Sequence, residues 1–336
     1  MTNRGLYKIW PIFLLFITAC GGNKLDVDVS GVNVTVQFID WVPALEDKNA
    51  AKYLQTLKQS GGELYKYYLG RMIHTNPDVD SQCIKQLDQF MYFPSTVEGV
   101  KQIKEVYGDF KPYKDELTEG LKHMAYYYPE KNNFKIFTYH SGFNFGIFPV
   151  ENEIGIGLDM YLGANNKVTQ ALPIQDFPQY MKNNMDPANM VVDFFRGYAI
   201  FNLIPENKED DLLSTLVYEG KALYALDAFL PGKEEHVKLR YKKEQLDWCN
   251  QYHRQIWKEI IDNEWLYTTN QKVILQFTNE APFTGSLPKQ SPPRVGAWLG
   301  WQMIKAYAEQ YPDLTVKQIL EEPDAKKILR SYKPPK

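Results

Sequence analysis

The chain has 336 residues, of which 44% are hydrophobic and 24% are charged, and its formal net charge is −3. This length and composition predict a packed globular body, and the balanced charge without a basic stripe argues against a nucleic-acid partner. Aromatic residues are abundant, with 23 Tyr, 18 Phe and 7 Trp. Because aromatic side chains fill cores more often than they line carbohydrate or peptide surfaces, we assign most of them to the core.

The first twenty residues have the pattern of an export signal. Residues 1–8 carry basic residues and no acid, and residues 9–19 (IWPIFLLFITA) form an uncharged apolar run. This run is too short to cross a bilayer, which takes roughly 20 residues. It leads into ITAC at residues 17–20, which resembles the bacterial lipobox, where the cysteine thiol takes the lipid. We therefore expect residues 1–19 to be a lipoprotein signal peptide and Cys20 to be acylated, with palmitate among its chains; a plain secretory signal is the alternative.

A short polar segment follows the predicted lipid anchor. Residues 20–31 carry a glycine pair directly after Cys20 and are predicted to form a flexible tether. Residues 32–336 are expected to form a single globular domain. The predicted location is the cell envelope, where the lipid membrane that holds acylated Cys20 is the first partner, and either the inner or the outer membrane is compatible with this tether.

The first half of the body reads as one strand followed by helices. Alternation over β-branched residues predicts a strand at 32–39. Apolar residues at helical spacing predict a helix at 48–75, which Gly61-Gly62 can break. Further helices are predicted at 83–90, 96–107 and 113–127.

In the middle of the chain, apolar and polar residues first alternate, and farther on the apolar residues recur at helical spacing. Strands are predicted at 133–140, 148–150 and 153–159. Asp186-Pro187 supplies a helix N-cap and a first-turn proline, so a helix is expected at 188–202. Three more helices are predicted at 211–229, 241–262 and 295–311. The expected fold class is therefore α+β, mostly helical, with a small central sheet.

Signals for metal sites and disulfides are sparse. No histidine lies four residues from another, so no helical pair is available to bind a metal, and we expect each of the five to be surface or half-buried: His74, His123, His140, His236 and His253. Cys83 and Cys249 can pair in an oxidising compartment, but two distant cysteines define no disulfide framework. We predict no cofactor.

Two helical stretches resemble the glutamate-ligand type of zinc metallopeptidase, the zincins. Residues 190–198 read MVVDFFRGY and residues 218–222 read YEGKA. In zincins an H-E-x-x-H helix supplies two ligands and the general base, and a glutamate in an E-G-x-A context supplies the third ligand. A sheet edge, here residues 153–159, would hold the substrate peptide.

The residues at the corresponding positions do not suit a zinc ion. Val192 and Arg196 stand where the histidines belong, and Asp193 stands at the position of the base. Glu219 keeps the position of the third ligand. Because valine has no donor atom and a guanidinium repels Zn²⁺, we predict a degenerate site without metal or catalytic residues. We expect Arg196 to form a bidentate pair with Glu219 across two helices; the alternative places Asp193 and Arg196 on an exposed polar face.

The lipobox and the inactive zincin-like body together resemble the GldB gliding-motility lipoproteins of Bacteroidetes. The stretches that carry this resemblance lie at 137–159, 161–163, 190–203, 212–230 and 294–301, the last of which reads RVGAWLGW. The resemblance covers the lipobox and roughly residues 90–315. It implies a pseudoenzyme with a cell-envelope role in gliding movement, protein partners in the gliding machinery and no established catalytic activity.

Two alternative functions stay open at this point. The first is an envelope metallopeptidase with divergent ligands, such as Asp193, Glu219 and a distant histidine like His140. The second is a glycan-binding surface lipoprotein that uses Trp298 and Trp301 as a platform. Because these two tryptophans lie three residues apart on an apolar helix, a core position is the simpler interpretation.

Overall fold

The computed structural model describes residues 24–335, and in this part of the chain helices surround one small sheet. The signal peptide, Cys20 and the first residues of the predicted tether lie outside the described residues. The strands are β1 (Thr35–Asp40), β2 (Asn133–Tyr139), β3 (Ile147–Val150) and β4 (Glu153–Gly157). The predicted α+β class, mostly helical with a small sheet, is confirmed. No helix within residues 24–335 combines the length and apolar character that a membrane crossing requires.

The helices fall into two groups along the chain. Those before β2 are α1 (Ala50–Ser60), α2 (Leu64–Tyr67), α3 (Asp80–Tyr92), α4 (Pro94–Tyr107) and α5 (Lys111–Tyr127). Those after β4 are α6 (Lys167–Ala171), α7 (Gln179–Asn184), α8 (Met190–Asn202), α9 (Leu212–Phe229), α10 (Glu235–Lys238), α11 (Lys243–Gln251), α12 (His253–Asp262), α13 (Gln271–Thr278), α14 (Val295–Gln310), α15 (Val316–Glu321) and α16 (Ala325–Ser331).

Two helical predictions need correction. The helix expected at 241–262 divides at Tyr252 into α11 and α12. The helix expected at 48–75 is interrupted at Gly61, as predicted, and α1 ends there. The helical structure that follows stops before His74, whose backbone takes a left-handed φ of 55°. A non-glycine residue with this φ cannot continue a right-handed helix.

The sheet has the order β1-β2-β4-β3. Strands β1, β2 and β4 are parallel, and β3 runs antiparallel to β4. Residues 153–159 were expected to form the sheet edge, and this prediction is wrong. A two-residue turn at Glu151 and Asn152 folds β3 back onto β4, so β4 is an inner strand and β3 is the edge. Pro149 in β3 has no N–H, which makes this edge a poor template for an added peptide strand.

Helices α9 and α14 cross within the core in an extensive contact. A Cβ placed at Gly300 would overlap the carbonyl oxygen of Leu216, and a Cβ at Gly220 would overlap the backbone of Gly300. The two helices therefore touch backbone to backbone, which only glycine permits. Trp298 and Trp301 lie on α14 and are fully buried, so the glycan-binding alternative loses its tryptophan platform.

Candidate functional site

Helices α8 and α9 carry the residues that the zincin pattern singled out. Asp186 caps the short turn before α8 by accepting a hydrogen bond from the Ala188 N–H at 2.9 Å. Asp211 caps α9 in the same way, from the Ser214 N–H at 2.8 Å. Both caps satisfy backbone donors that a helix start leaves unpaired, so the local sequence sets where each helix begins. Val192 of α8 is fully buried in the core and has no part in the polar site.

The predicted pair between α8 and α9 is present. Arg196 donates from Nη2 to Oε2 of Glu219 at 2.5 Å, with side chains that are 21% and 19% exposed. The contact is one hydrogen bond rather than the expected bidentate pair. Nη2 of Arg294 lies 4.0 Å from the same Glu219 oxygen, so two guanidinium groups face this carboxylate.

The ion pairs continue beyond this pair. Arg240 donates from Nη1 to both oxygens of Asp193, at 3.1 and 3.0 Å, and from Nη2 to Oε1 of Glu280 at 2.7 Å. Arg294 donates to the same Glu280 oxygen at 2.9 Å. The Tyr161 hydroxyl donates to Asp193 at 3.0 Å. Three arginines and three acids thus form one arginine–carboxylate network, made of Asp193, Arg196, Glu219, Arg240, Glu280 and Arg294.

Two members of the network hold a left-handed backbone. Arg240 has a φ of 58° and Arg294 a φ of 54°. Non-glycine residues in this region cost about 1–3 kcal/mol and persist where the surrounding structure fixes them. Both guanidinium groups donate to Glu280, so the two residues with strained backbones also share an ion-pair partner.

The arginines lower the pKa of two carboxyl groups of the network in a largely buried setting. Burial raises the pKa of Glu219, but the charges of Arg196 and Arg294 outweigh burial and lower this pKa below its usual value. Burial likewise raises the pKa of Glu280, and Arg240 and Arg294 reverse the shift so that the pKa falls. Burial raises the pKa of the Tyr161 phenol, and the Asp193 charge adds to the rise, so Tyr161 stays a neutral donor.

The network pairs its charges with one another. Its three cations balance its three anions, and each carboxylate accepts a hydrogen bond from at least one guanidinium. Within residues 24–335 no cluster of three or more His, Cys, Asp or Glu side chains is arranged to hold a metal ion. These ion pairs link α8, α9 and the loops around residues 240, 280 and 294.

His140, the histidine of the metallopeptidase alternative, occupies a different kind of site. It was expected to be surface or half-buried, but its side chain is fully buried between Phe90 and Phe143. Its Nδ1 accepts from the Gly142 N–H at 3.0 Å and lies 3.6 Å from Asp159. Burial lowers the pKa of His140 despite the neighbouring Asp159 charge.

A serine completes the buried cluster around Asp159. The Ser141 hydroxyl donates to Asp159 at 2.9 Å, and the N–H groups of Ser141 and Phe143 donate to it at 2.8 and 2.6 Å. Because Ser141 donates to the acid instead of to His140, these residues lack the order of a nucleophile–base–acid triad. They fix the chain where it leaves β2.

The other histidines and cysteines take varied positions. His236 is half-buried beside Glu234, as expected, and His253 contacts Tyr332. His123 is buried, against expectation, since α5 turns it toward the core. Both cysteines of the possible disulfide are free and buried: Cys83 and Cys249.

Helix α8 packs against the edge strand of the sheet. A Cβ at Gly197 would lie 3.3 Å from Cγ2 of Ile147, so α8 contacts β3 directly. Open space lies on another side of the network, where a cleft of about 840 Å³ has Arg240, His236 and Asn184 in its wall.

Sequence reasoning missed half of the network. Arg240 and Glu280 lie in connecting segments without a regular pattern. Arg294 begins the stretch 294–301 of the family resemblance, but no pattern in the sequence assigned it a role in the site. Their one local signal is backbone strain at the two arginines, which a sequence does not display.

Comparison with known proteins places the chain in a family. A family model described as gliding motility protein GldB matches residues 22–334. No curated protein and no solved structure matches the chain.

Proposed function

The chain belongs to the gliding motility protein GldB family, and from this premise we propose that it serves gliding as a non-catalytic lipoprotein scaffold. In this proposal a lipid on Cys20 holds the chain in the cell envelope, and the body binds protein partners of the gliding machinery. The family implicates the chain in gliding motility.

The observation that carries the proposal is the arginine–carboxylate network. A zinc site or a general base needs a carboxylate that is available to a metal or a substrate. Asp193 and Glu219 are instead bound by Arg240 and Arg196. In this proposal the guanidinium of Arg196 stands where a zincin would hold its metal ion, and its contact with Glu219 links α8 to α9.

Metal and protease assays of the purified chain test the non-catalytic part. After dialysis against zinc-containing and then zinc-free buffer, we expect no stoichiometric zinc and no digestion of unfolded casein. Stoichiometric zinc, together with casein digestion that Glu219→Gln removes, would overturn the proposal in favour of a metallopeptidase.

The anchor is tested by substitution in the motile cell. Cys20→Ser is expected to abolish labelling with an alkyne palmitate analogue, release the chain from the membrane fraction and reduce colony spreading. Cys83→Ala serves as the matched control, since Cys83 is buried in the body and is expected to leave labelling unchanged. A Cys20→Ser chain that is still labelled and membrane-bound contradicts the anchor.

A further inference from the structure

An exposed apolar corner joins α3 to α4. Helix α3 ends at Tyr92, Pro94 begins α4, and Phe93 between them is extended because the residue before a proline avoids the helical region. Tyr92 is 55% exposed, Phe93 61% and Val97 42%. Runs of exposed apolar residues are uncommon on soluble proteins unless they bind something. We call Tyr92, Phe93, Pro94 and Val97 the corner patch.

A cleft adjoins the corner patch and has the make-up of an interface centre. It holds about 350 Å³, and Leu45, Met91 and Val100 line it together with Val97. Charged side chains surround it, and the Lys48 ammonium lies 4.7 Å from the centre of the Tyr92 ring. An apolar centre with a charged rim is typical of protein–protein interfaces, in which aromatic residues carry much of the binding energy.

The corner patch lies at the carboxyl end of the parallel strands. Leu45 follows the end of β1, where the Trp41 N–H donates to the Thr138 carbonyl. At the end of β2, His140 touches Phe90 of α3 and lies so close to Gly99 of α4 that a Cβ there would overlap its ring. Helices α3 and α4 therefore pack against this end of the sheet.

The segment around Leu25 lies near the opposite end of the sheet. The Tyr127 hydroxyl donates to the Leu25 carbonyl at 3.2 Å, and Tyr127 ends the helix that leads into β2. Strands of six or seven residues separate the two ends by roughly 20 Å. Cys20 is four residues from Lys24, and four residues span at most about 14 Å. An acylated Cys20 therefore draws the amino end of the sheet toward the bilayer and leaves the corner patch facing away.

We propose that the corner patch docks a protein partner, which places one large apolar side chain in the cleft between Leu45 and Val97. This inference rests on the proposed anchor at Cys20, because the anchor decides which end of the sheet faces the membrane. A surface that points away from the bilayer meets proteins of the envelope rather than lipid. The partner side presents an apolar residue, leucine or aromatic, within a rim of mixed charge.

Site-specific photocrosslinking in intact motile cells tests the docking site. A photoreactive phenylalanine at position 93 is expected to crosslink to one envelope protein, and Val97→Asp is expected to reduce that product more than roughly tenfold, as for a hot-spot side chain. The control carries the same probe at Phe201, which is 72% exposed and lies on α8. Equal crosslinking at both positions, a product with lipid, or a product with a second copy of the chain overturns the proposal.

Colony spreading and vesicle binding complete the test. Phe93→Ser, which alters only an exposed side chain, is expected to reduce spreading, while Phe201→Ser leaves it unchanged. Binding of the unacylated chain to phosphatidylethanolamine–phosphatidylglycerol vesicles is expected to be the same with and without Phe93→Ser, and a loss would show that the patch binds membrane instead. If strains that carry Phe93→Ser or Val97→Asp spread normally while the Cys20→Ser strain does not, the docking site is refuted and the anchored scaffold stands.

Discussion

Replacing Arg196 by methionine removes the guanidinium from Glu219 and keeps the apolar stem of the side chain. Breaking a fully buried ion pair costs about 3–5 kcal/mol, because it leaves a buried charge without its partner. Both side chains are about a fifth exposed, and Arg294 stays near Glu219, so solvent and the second cation reduce the cost. We expect Arg196→Met to lower the free energy of unfolding by about 2 kcal/mol at pH 7.

The loss should be measurable by urea unfolding and by melting. Globular proteins unfold with an entropy of about 2.1 cal/mol/K per residue, so a body spanning residues 24–335 should show a fall in Tm of roughly 3 °C. The double variant Arg196→Met/Glu219→Gln removes both charges. It is expected to lose less stability than the single variant, since no unpaired carboxylate is left behind.

The pH dependence of the loss separates an ion pair from simple packing. The folded pKa of Glu219 is lowered below its ordinary value of 4.5, mainly by Arg196 and Arg294 against the effect of burial. A lowered carboxylate pKa contributes stability above the unfolded pKa and loses it as pH falls through the folded pKa. The difference between Arg196→Met and the parent chain should therefore shrink as pH falls below about 4.5. An unchanged unfolding midpoint at pH 7, or a loss that is equally large at low pH, would refute the reasoning.

Three further outcomes follow from packing and capping. Gly300→Ala forces a Cβ into the backbone of α9 and should cost more than about 3 kcal/mol or prevent folding, whereas Gly232→Ala, with open space around it, should leave Tm nearly unchanged. Asp211→Ala removes the N-cap of α9 and should cost about 1 kcal/mol in urea unfolding. The thiols of Cys83 and Cys249 should react with a disulfide reagent in the native chain only as slowly as the chain opens, and at once in denaturant; fast native reaction would contradict their burial.

The sequence predicted those parts of the fold that have a local cause. Asp186 and Asp211 mark where their helical segments begin, because a capping side chain acts within three residues of itself. Short helices such as α6, α7 and α10 were missed, since one or two turns are too short to show a periodic apolar stripe. The edge position predicted for residues 153–159 was wrong, because pairing between strands depends on contacts that a strand's own residues do not encode.

The sequence likewise predicted only the part of the candidate site that has a local pattern. Asp193, Arg196 and Glu219 were found because their spacing on two helices resembles a zincin pattern, while the zincin likeness of the body itself stays a prediction. Arg240 and Glu280 join the site from segments that are 47 and 40 residues away from their partners in the chain. Only tertiary folding brings such residues together, and no local sequence pattern predicts that they belong to the site.

The glycine beside Glu219 has a structural cause of its own. The E-G-x-A context at residues 219–222 resembled a ligand motif, but Gly220 is where α9 meets the backbone of Gly300 on α14. Close helix packing requires glycine at this position whether or not a metal was ever bound. The motif therefore supports the fold more directly than it supports a catalytic history.

Colony spreading of a deletion strain that expresses Arg196→Met/Glu219→Gln tests the central claim most directly. The double variant removes the carboxylate at the third-ligand position together with its partner, and membrane fractionation confirms that the chain is present and anchored. A non-catalytic scaffold predicts that this strain spreads like the strain with the parent chain. A strain that contains the folded, membrane-bound double variant and yet does not spread would show that Glu219 does more than pair with Arg196, and would contradict the account.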